Sequence, residues 1–530
     1  MKSCLPLLLL FVFAAVLGRA TSPNVIFILC DDLGSGDVRL LNPEGKIATP
    51  NMDRIGREGM IFTDAHTPSS VCTPTRYGTM TGRYSWRTKL QSGVLGGLSP
   101  RLIEKDRLTV AAMLKQVGYE TAAIGKWHLG MDWVLKPGKS IAELSIESRE
   151  QAWSVDFTHP HRNGPRSVGF DHYFGIAASL DMVPYCFIEE DRVAAQPTED
   201  RSLMMVHGKA DQTTRVGPAA PGFTGYEVLG TFMDRCIAWI QAKAGAAQSG
   251  KPFFLYLPLA SPHTPILPNP AWRGKSGLNA YADFVMETDA EVGRLLRVLD
   301  EKNLAQDTLI IFTSDNGCSP SANYPELLEK GHNPSGRYRG TKADLYEGGH
   351  RVPFLVRWPA RVQGGQTSSH LICLTDFMAT MAEITGAALP ADAAEDSFSF
   401  LPALLGQAAH GPQRDVLVSH SIGGYFAIRE GPWKLCLAPG SGGWSSPRPG
   451  KEPKGAPSMQ LFHLDDDLGE TRNLQAEHPE IVARLMKKMQ TLVVRGRSTP
   501  GPDQKNAVPV DLWKKKTQKA GPKAKERKPS

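Results

Sequence analysis

The chain lacks a disulfide framework. Its eight cysteines stand at positions 4, 30, 72, 186, 236, 318, 373 and 436 with no Cys-x-x-Cys pair. That spacing excludes a small stapled domain and a cysteine-based zinc module. No Asn-x-Ser/Thr acceptor occurs without an intervening proline, which leads away from a glycosylated eukaryotic secretory protein and toward a bacterial exported one. Past the N-terminus no apolar run is long enough to span a bilayer. A one-signed surface is missing too. The formal charge of +6 resides in residues 501–530, which hold nine Lys/Arg against three Asp/Glu, while the other 500 residues carry 51 of each. The fold therefore offers no basic footprint for nucleic acid, and the tail, low in apolar residues, reads as disordered from 498 to 530.

What is present begins with a leader. Lys2 precedes an apolar stretch from Leu5 to Leu17, and Gly18-Arg19-Ala20 resembles a small-residue cleavage site. Residues 1–20 read as a signal peptide, and the mature chain as exported, periplasmic or secreted, with no membrane span. The remaining length suits a large domain, 22–400, and a smaller one, 401–497.

Short apolar runs rich in branched residues read as buried strands: Asn24–Cys30, Thr121–Ile124, Pro252–Leu259, Thr308–Thr313 and Pro353–Val356. Stretches with apolar residues at helical spacing lie between them, over Thr109–Val117, Tyr226–Ala244 and Tyr281–Leu304. The alternation predicts an α/β fold with a large, mostly parallel sheet between helices. After residue 400 short strands (VLVSHSI, YFAIRE, WKLCLA), a Gly/Pro/Ser-rich loop at Ser441–Pro457 and a helix over Pro479–Val494 predict a small α+β unit with an antiparallel sheet.

Four of the strands run into polar clusters: Asp31-Asp32, Lys126-Trp127-His128, His263 and Asp315-Asn316. Ligands of open α/β sheets bind beyond the carboxyl ends of the strands, so four such clusters predict one shared site. Asp31 and Asp32 alone would pass as a helix-capping pair. Joined by Asp315 and Asn316 they form an oxygen-only set suited to a hard cation such as calcium or magnesium. Lys126 and His128, two apart, would face one ligand on extended chain. His263 is fixed by flanking prolines, and Lys342 sits in a glycine-rich loop. Singly, Lys126, His128, His263 and Lys342 also fit ordinary surface or packing roles.

The stretch SSVCTPTRYGTMTGR puts Cys72 just ahead of Pro74, a residue that fits a first helical turn. A helix N-terminus and Arg76 one turn on would lower the thiol pKa and make an activated nucleophile.

These residues carry a family resemblance. CTPTR (Cys72–Arg76) resembles the Cys-x-Pro-x-Arg signature of type I, formylglycine-dependent sulfatases, a family that includes arylsulfatases and N-acetylgalactosamine-6-sulfatases. NVIFILCDDLG, GYETAAIGKWHLG, SPHTP, FTSDNG, GTKADLYEGGHRVPF and LFHLDDDLGETRNL resemble further blocks, in the family order, across about residues 22–495. The resemblance implies an alkaline-phosphatase-like sandwich and hydrolysis of sulfate monoesters, on a sulfated glycan or an aryl sulfate. It implies one calcium held by Asp31, Asp32, Asp315, Asn316 and the modified Cys72. It also implies a maturation enzyme that oxidises Cys72 to formylglycine, whose hydrate attacks sulfur with help from Asp315. His263 would protonate the leaving alcohol, His128 would take a proton from the second hydroxyl, Arg76 and Lys126 would hold the diol, and Lys126 and Lys342 would neutralise sulfuryl oxygens. Wording such as SLDMVPY is similar to enzymes acting on 6-O-sulfated galactose or N-acetylgalactosamine. Asp181, with Asp156, His159 and His161, would then be a candidate for gripping sugar hydroxyls. A phosphonate or phosphate monoester hydrolase of the same superfamily, or an inactive glycan-binding relative, is the alternative.

Overall fold

The computed structural model describes residues 22–514. The leader and the end of the basic tail lie outside the described residues. Ten strands form one sheet: β1 (Asn24–Cys30), β2 (Met60–Phe62), β3 (Glu120–Lys126), β4 (His172–Ile176), β5 (Ile188–Glu189), β6 (Arg192–Val193), β7 (Phe253–Pro258), β8 (Thr308–Ser314), β9 (Phe354–Arg357) and β10 (Gln366–Ser368). Their order is β10-β2-β9-β8-β1-β7-β3-β4-β5-β6. The five central strands, β8-β1-β7-β3-β4, are mutually parallel, and β9 runs against β8. The fold is thus a large, mixed, mostly parallel sheet in an α/β sandwich.

Both faces of the sheet are covered, which is why its central strands read as unbroken apolar runs. Adjacent residues of β7 point to opposite sides: Phe253 packs edge-on against Trp239 of the helix Val228–Gln248, and Phe254 packs against Phe377 of the helix Phe377–Thr385. Every residue of β1 is buried. At about 25 cal/mol per Å² of apolar surface removed from water, such central strands anchor the core.

A second sheet of four antiparallel strands, β11 (Val416–His420), β12 (Phe426–Glu430), β13 (Trp433–Cys436) and β14 (Gln460–His463), is joined by the helix Pro479–Arg495. Composition assigns 498–514 to a disordered tail, yet this segment runs along the body of the protein. Ala507 donates its amide to the Arg87 carbonyl at 2.7 Å, and Arg83 donates to the carbonyl of Lys505 at 3.0 Å. The buried arginines Arg83 and Arg87 need acceptors, and this segment supplies the Lys505 carbonyl to Arg83 and Asn506 Oδ1, at 3.1 Å, to Arg87, a requirement that composition does not register. Among the described residues no helix is long and apolar enough to cross a membrane.

Candidate active site

The adjacent parallel strands β8, β1, β7 and β3 all end on one edge of the sheet, and their polar clusters meet there as the strand pattern predicts. Asp31 and Asp32 follow β1, His263 lies five residues past β7, Lys126 ends β3, and Asp315 and Asn316 follow β8. The loop carrying Lys342 and the helix that starts at Cys72 close the cluster. Arg76 donates to Asp315 Oδ2 from Nε at 3.0 Å and from a terminal nitrogen at 2.7 Å, and lies 3.3 Å from Asp31 Oδ2. Its other terminal nitrogen holds the Lys126 carbonyl at 3.0 Å. Lys126 Nζ pairs with Asp31 and donates to Ser179 Oγ at 2.6 Å. Lys342 Nζ lies 2.7 Å from Asp32 Oδ1, and Asn316 Nδ2 donates to the same oxygen at 2.7 Å.

Three carboxylates face three cations, yet acceptors remain over. Asp31 is fully buried, and its Oδ1 has no hydrogen-bond partner. The buried Oδ1 of Asn316 has none either. A buried acceptor left without a partner costs roughly 1–3 kcal/mol. Two orphaned oxygens among Asp32 and Asp315 make an all-oxygen donor set, the chemistry that hard divalent cations select. The residues present therefore fit calcium.

Burial and charge split the carboxyls. Burial raises Asp315 to about 6, with the charge of Asp31 adding to it against Arg76 and Lys126. Asp31 is held well below the usual range: burial opposes ionisation, but Lys126, His263, Arg76 and Lys342 outweigh it. Asp32 and Cys72 raise Lys342 despite its burial, so its ammonium charge is fixed.

The two histidines are set by their carbonyl partners. His128 Nε2 lies 2.9 Å from the Leu95 carbonyl, which can only accept, so the proton sits on Nε2 and Nδ1 keeps its lone pair, buried and unpartnered. Burial, then Lys126, pushes its pKa well below the ordinary histidine value. His263 gives its Nδ1 proton to the Thr264 carbonyl and faces Asp32 Oδ2 across 3.7 Å with Nε2. It lies between two cis X-Pro bonds and is 7% exposed.

Two local expectations are corrected. Cys72 is the first residue of its helix, Cys72–Thr81, and not the residue before it. Its thiol is raised by burial, more than Lys126 and Lys342 lower it, so the helix terminus and Arg76 do not make an activated thiolate. All seven described cysteines are free. Lys126 and His128 do not share a side by strand alternation either. β3 stops at Lys126, and His128 adopts φ 56°, a left-handed turn that swings the ring into the cluster.

The remaining candidates disperse. Asp181 is half-buried, two residues past the Ser179 that holds Lys126, and its Oδ1 is unpartnered. Asp156 and His159 pair with each other at 3.1 Å in an exposed turn, and His161 packs against Trp133. Several groups escape the sequence pattern. Ser179 and the Leu95 carbonyl position Lys126 and His128. Tyr281 donates to Asp37 at 2.6 Å and to the Asp32 carbonyl at 3.2 Å, bracing the Asp31–Asp32 turn. More than 240 residues separate Tyr281 from both partners, and only strand-end placement could have pointed to that turn.

The family model described as Sulfatase matches residues 23–387. The chain is 33% identical over 508 residues to an N-acetylgalactosamine-6-O-sulfatase of Bacteroides thetaiotaomicron, covering 90% of this chain and 94% of that one. It is 31% identical over 524 residues to human arylsulfatase A, covering 94% and 93%. A solved Bacteroides thetaiotaomicron structure, described under the metabolism of multiple glycosaminoglycans and labelled a 6S-sulf protein, superposes with a TM-score of 0.75 at 29% identity, over 89% of this chain and 99% of that one. A phosphonate monoester hydrolase from Silicibacter pomeroyi, 18% identical with a TM-score of 0.57, shares the fold alone. On these matches, over most of its length, the chain belongs to the sulfatase family and is a sulfuric ester hydrolase.

Proposed function

We propose that the protein removes sulfate from sulfated carbohydrate, with 6-O-sulfated galactose or N-acetylgalactosamine as substrate. We read position 72 as formylglycine made from Cys72 by a maturation enzyme, and the oxygen set as a site for one calcium ion. The carrying observation is the setting of Cys72. A buried thiol, raised in pKa and in no disulfide, is placed at a helix N-terminus among Asp31, Asp315, Lys126 and Lys342. As a thiol it is poorly suited to attack, and as an aldehyde it is well placed.

Oxidised to an aldehyde and hydrated, position 72 would supply one hydroxyl for attack at sulfur and a second whose loss of a proton would let sulfate leave. Calcium would be held by Asp31, Asp32, Asp315 and Asn316 and would supply positive charge beside the transferring group. The chain does the rest. Lys126 and Lys342 aim fixed charges at the sulfuryl oxygens, preorganised by their own carboxylates. Arg76 holds Asp315 in place, and Asp315 would help deprotonate the nucleophile. His263 in its imidazolium form, keeping Nδ1–H on the Thr264 carbonyl, would give its Nε2 proton to the departing sugar oxygen. His128 Nδ1, with its lone pair free, accepts the proton of the second hydroxyl. Asp181, with its unpartnered Oδ1 two residues past Ser179, is our candidate for gripping a sugar hydroxyl. The leader supports export, and the relative printed as an N-acetylgalactosamine-6-O-sulfatase supports the sugar.

Mass analysis of the tryptic peptide spanning Cys72 from protein made with a maturation enzyme tests the modification. An unmodified thiol in active protein would defeat it. Sulfate release is then compared across 6-O-sulfated galactosides, other sulfated sugars, an aryl sulfate and a phosphonate monoester. Turnover of another sulfated sugar with none of the 6-sulfates rejects the substrate, and preference for the phosphonate rejects the reaction class.

A further inference from the structure

Beside the cluster lies a cavity of about 320 Å³, lined by Glu147, Arg149, Ala152, Val183, Arg215 and Val216 among others. Glu147 is 3% exposed, and neither of its carboxylate oxygens has a hydrogen-bond partner. The nearby backbone groups of Leu98 and of Glu147 itself meet it only outside hydrogen-bonding geometry. Burying a carboxylate with no hydrogen-bond donor is costly. Asp181 and the exposed Arg215 are the charges that bear on Glu147, and all three bear on the Tyr185 hydroxyl between them.

Two walls tie the cavity to the catalytic groups. Glu147 lies against Gly96, where an added Cβ would meet its Oε2 at 2.1 Å. Gly96 follows Leu95, whose carbonyl holds His128. The other wall holds Val183, four residues past the Ser179 that holds Lys126, with Asp181 on the segment between them, and the Val183 carbonyl would sit 1.9 Å from a Cβ at Gly97. Both walls thus belong to or lie against the segments that position His128 and Lys126, and the cavity lies alongside those segments.

We propose that Glu147, Asp181 and Arg215 form a second sugar subsite, which takes the residue next to the sulfated one and prefers that residue to carry an anionic group. The inference rests on the carbohydrate reading above. The sugar's hydroxyls donate to the orphaned oxygens of Glu147 and to Asp181 Oδ1. Its less polar face packs on Ala152, Val183 and Val216. The Arg215 guanidinium meets a carboxylate or a second sulfate, either of which its planar fork matches.

The test measures kcat/KM of the mature enzyme on a 6-sulfated monosaccharide and on three disaccharides whose second sugar carries a carboxylate, a sulfate or neither. The wild type is expected to prefer the anionic disaccharides to the monosaccharide. In Arg215→Ala that preference falls about tenfold, a loss near 1.4 kcal/mol, while the neutral disaccharide is affected little. Glu147→Ala lowers the preference for all three disaccharides. Arg215 is exposed, so its variant keeps the test meaningful even if Glu147→Ala folds poorly. Which anionic disaccharide responds more identifies the group Arg215 reads. Equal losses on monosaccharide and disaccharides, or no loss in Arg215→Ala, overturn the subsite. Turnover of an aryl sulfate with no saccharide processed overturns the carbohydrate reading itself, and the subsite with it.

Discussion

The cluster at the strand ends and the cluster behind the Lys342 loop each set three carboxylates against three cations. In the first, Asp31, Asp32 and Asp315 face Arg76, Lys126 and Lys342. In the second, Asp64, Glu347 and Glu470 face Arg351, Arg429 and Lys434. The charge is the same and the packing is not. In the second cluster Lys434 Nζ lies 2.9 Å from Glu347 and 2.8 Å from Glu470, and Glu347 also takes Arg351 at 3.1 Å. His66, Glu347 and His350 come close enough to share a metal ion, but the Lys434 ammonium is already 3.1 Å from His350 Nε2. The chain supplies its own cation there. Glu470 Oε1 makes no hydrogen bond, but the Lys434 ammonium lies 2.8 Å from it, whereas at the strand ends Asp31 Oδ1 and Asn316 Oδ1 keep no donor. A buried charge cluster thus announces a ligand by the acceptors it leaves over, and not by how many charges it gathers.

The sharpest way to break this contrast is to disable one cluster at a time. Asp31→Asn and Cys72→Ala should each cut sulfate release by on the order of a thousandfold or more, the scale seen when a preorganised electrostatic group or a nucleophile is removed. Lys434→Met should spare chemistry far more than it spares the fold. It leaves Glu470 buried without its cation and Glu347 with Arg351 alone, at a cost of roughly 3–5 kcal/mol, read as a fall in the denaturation midpoint. A Lys434→Met protein as stable as wild type, or an Asp31→Asn enzyme of normal rate, would erase the distinction.

Calcium provides a finer discriminator. At a hundredfold excess over Kd, an ion bound only by the native state adds about 2.7 kcal/mol. Thermal melts of wild type should rise when calcium is added, and melts of Glu347→Gln should rise equally. Asp31→Asn should lose most of the response. If Glu347→Gln abolished it instead, the ion would belong to the second cluster.

The strand-end cluster was legible in the sequence because a buried parallel strand is an unbroken apolar run, and the first charged residue after it marks the catalytic edge of the sheet. Asp31, Lys126 and Asp315 all announce themselves in this way. The second cluster had no such marker. Lys434 falls inside WKLC, an otherwise apolar strand, and its carboxylates come from positions 36 and 87 residues away. His128 was found for an incorrect reason, since its left-handed backbone, and not strand alternation, brings it inward. The Cys72 pKa was misjudged because helix position and Arg76 can be read from spacing, whereas complete burial depends on the Lys342 loop and the second sheet, which fold over it from more than 250 residues away.

The smallest effect expected is a pH dependence, and it separates groups within the second cluster. Burial holds His66 below the ordinary histidine pKa and His350 well below it, against Glu347 and, for His66, Asp64; Lys434 lowers His350 further. Both are neutral when folded. The unfolded chain therefore binds more protons below pH 6.5, and their contribution to stability is complete above that pH and lost as pH falls, at up to about 1.4 kcal/mol per unit for each. Glu470 acts with the opposite sign. Burial and the charge of Glu347, against Lys434, raise it to about 7, so the folded state takes up its proton first and gains stability as pH falls from about 7 toward 4.5. The two terms offset each other in the wild type, so the measurement must compare variants. The deficit of His350→Gln relative to wild type should shrink between pH 7.5 and 5.5, because the wild type loses the histidine's contribution on the way down. Glu470→Gln should compare best with wild type at the alkaline end and lose that standing toward pH 5. Parallel urea midpoints for both variants across the range would mean that neither group binds its proton differently in the folded and the unfolded chain.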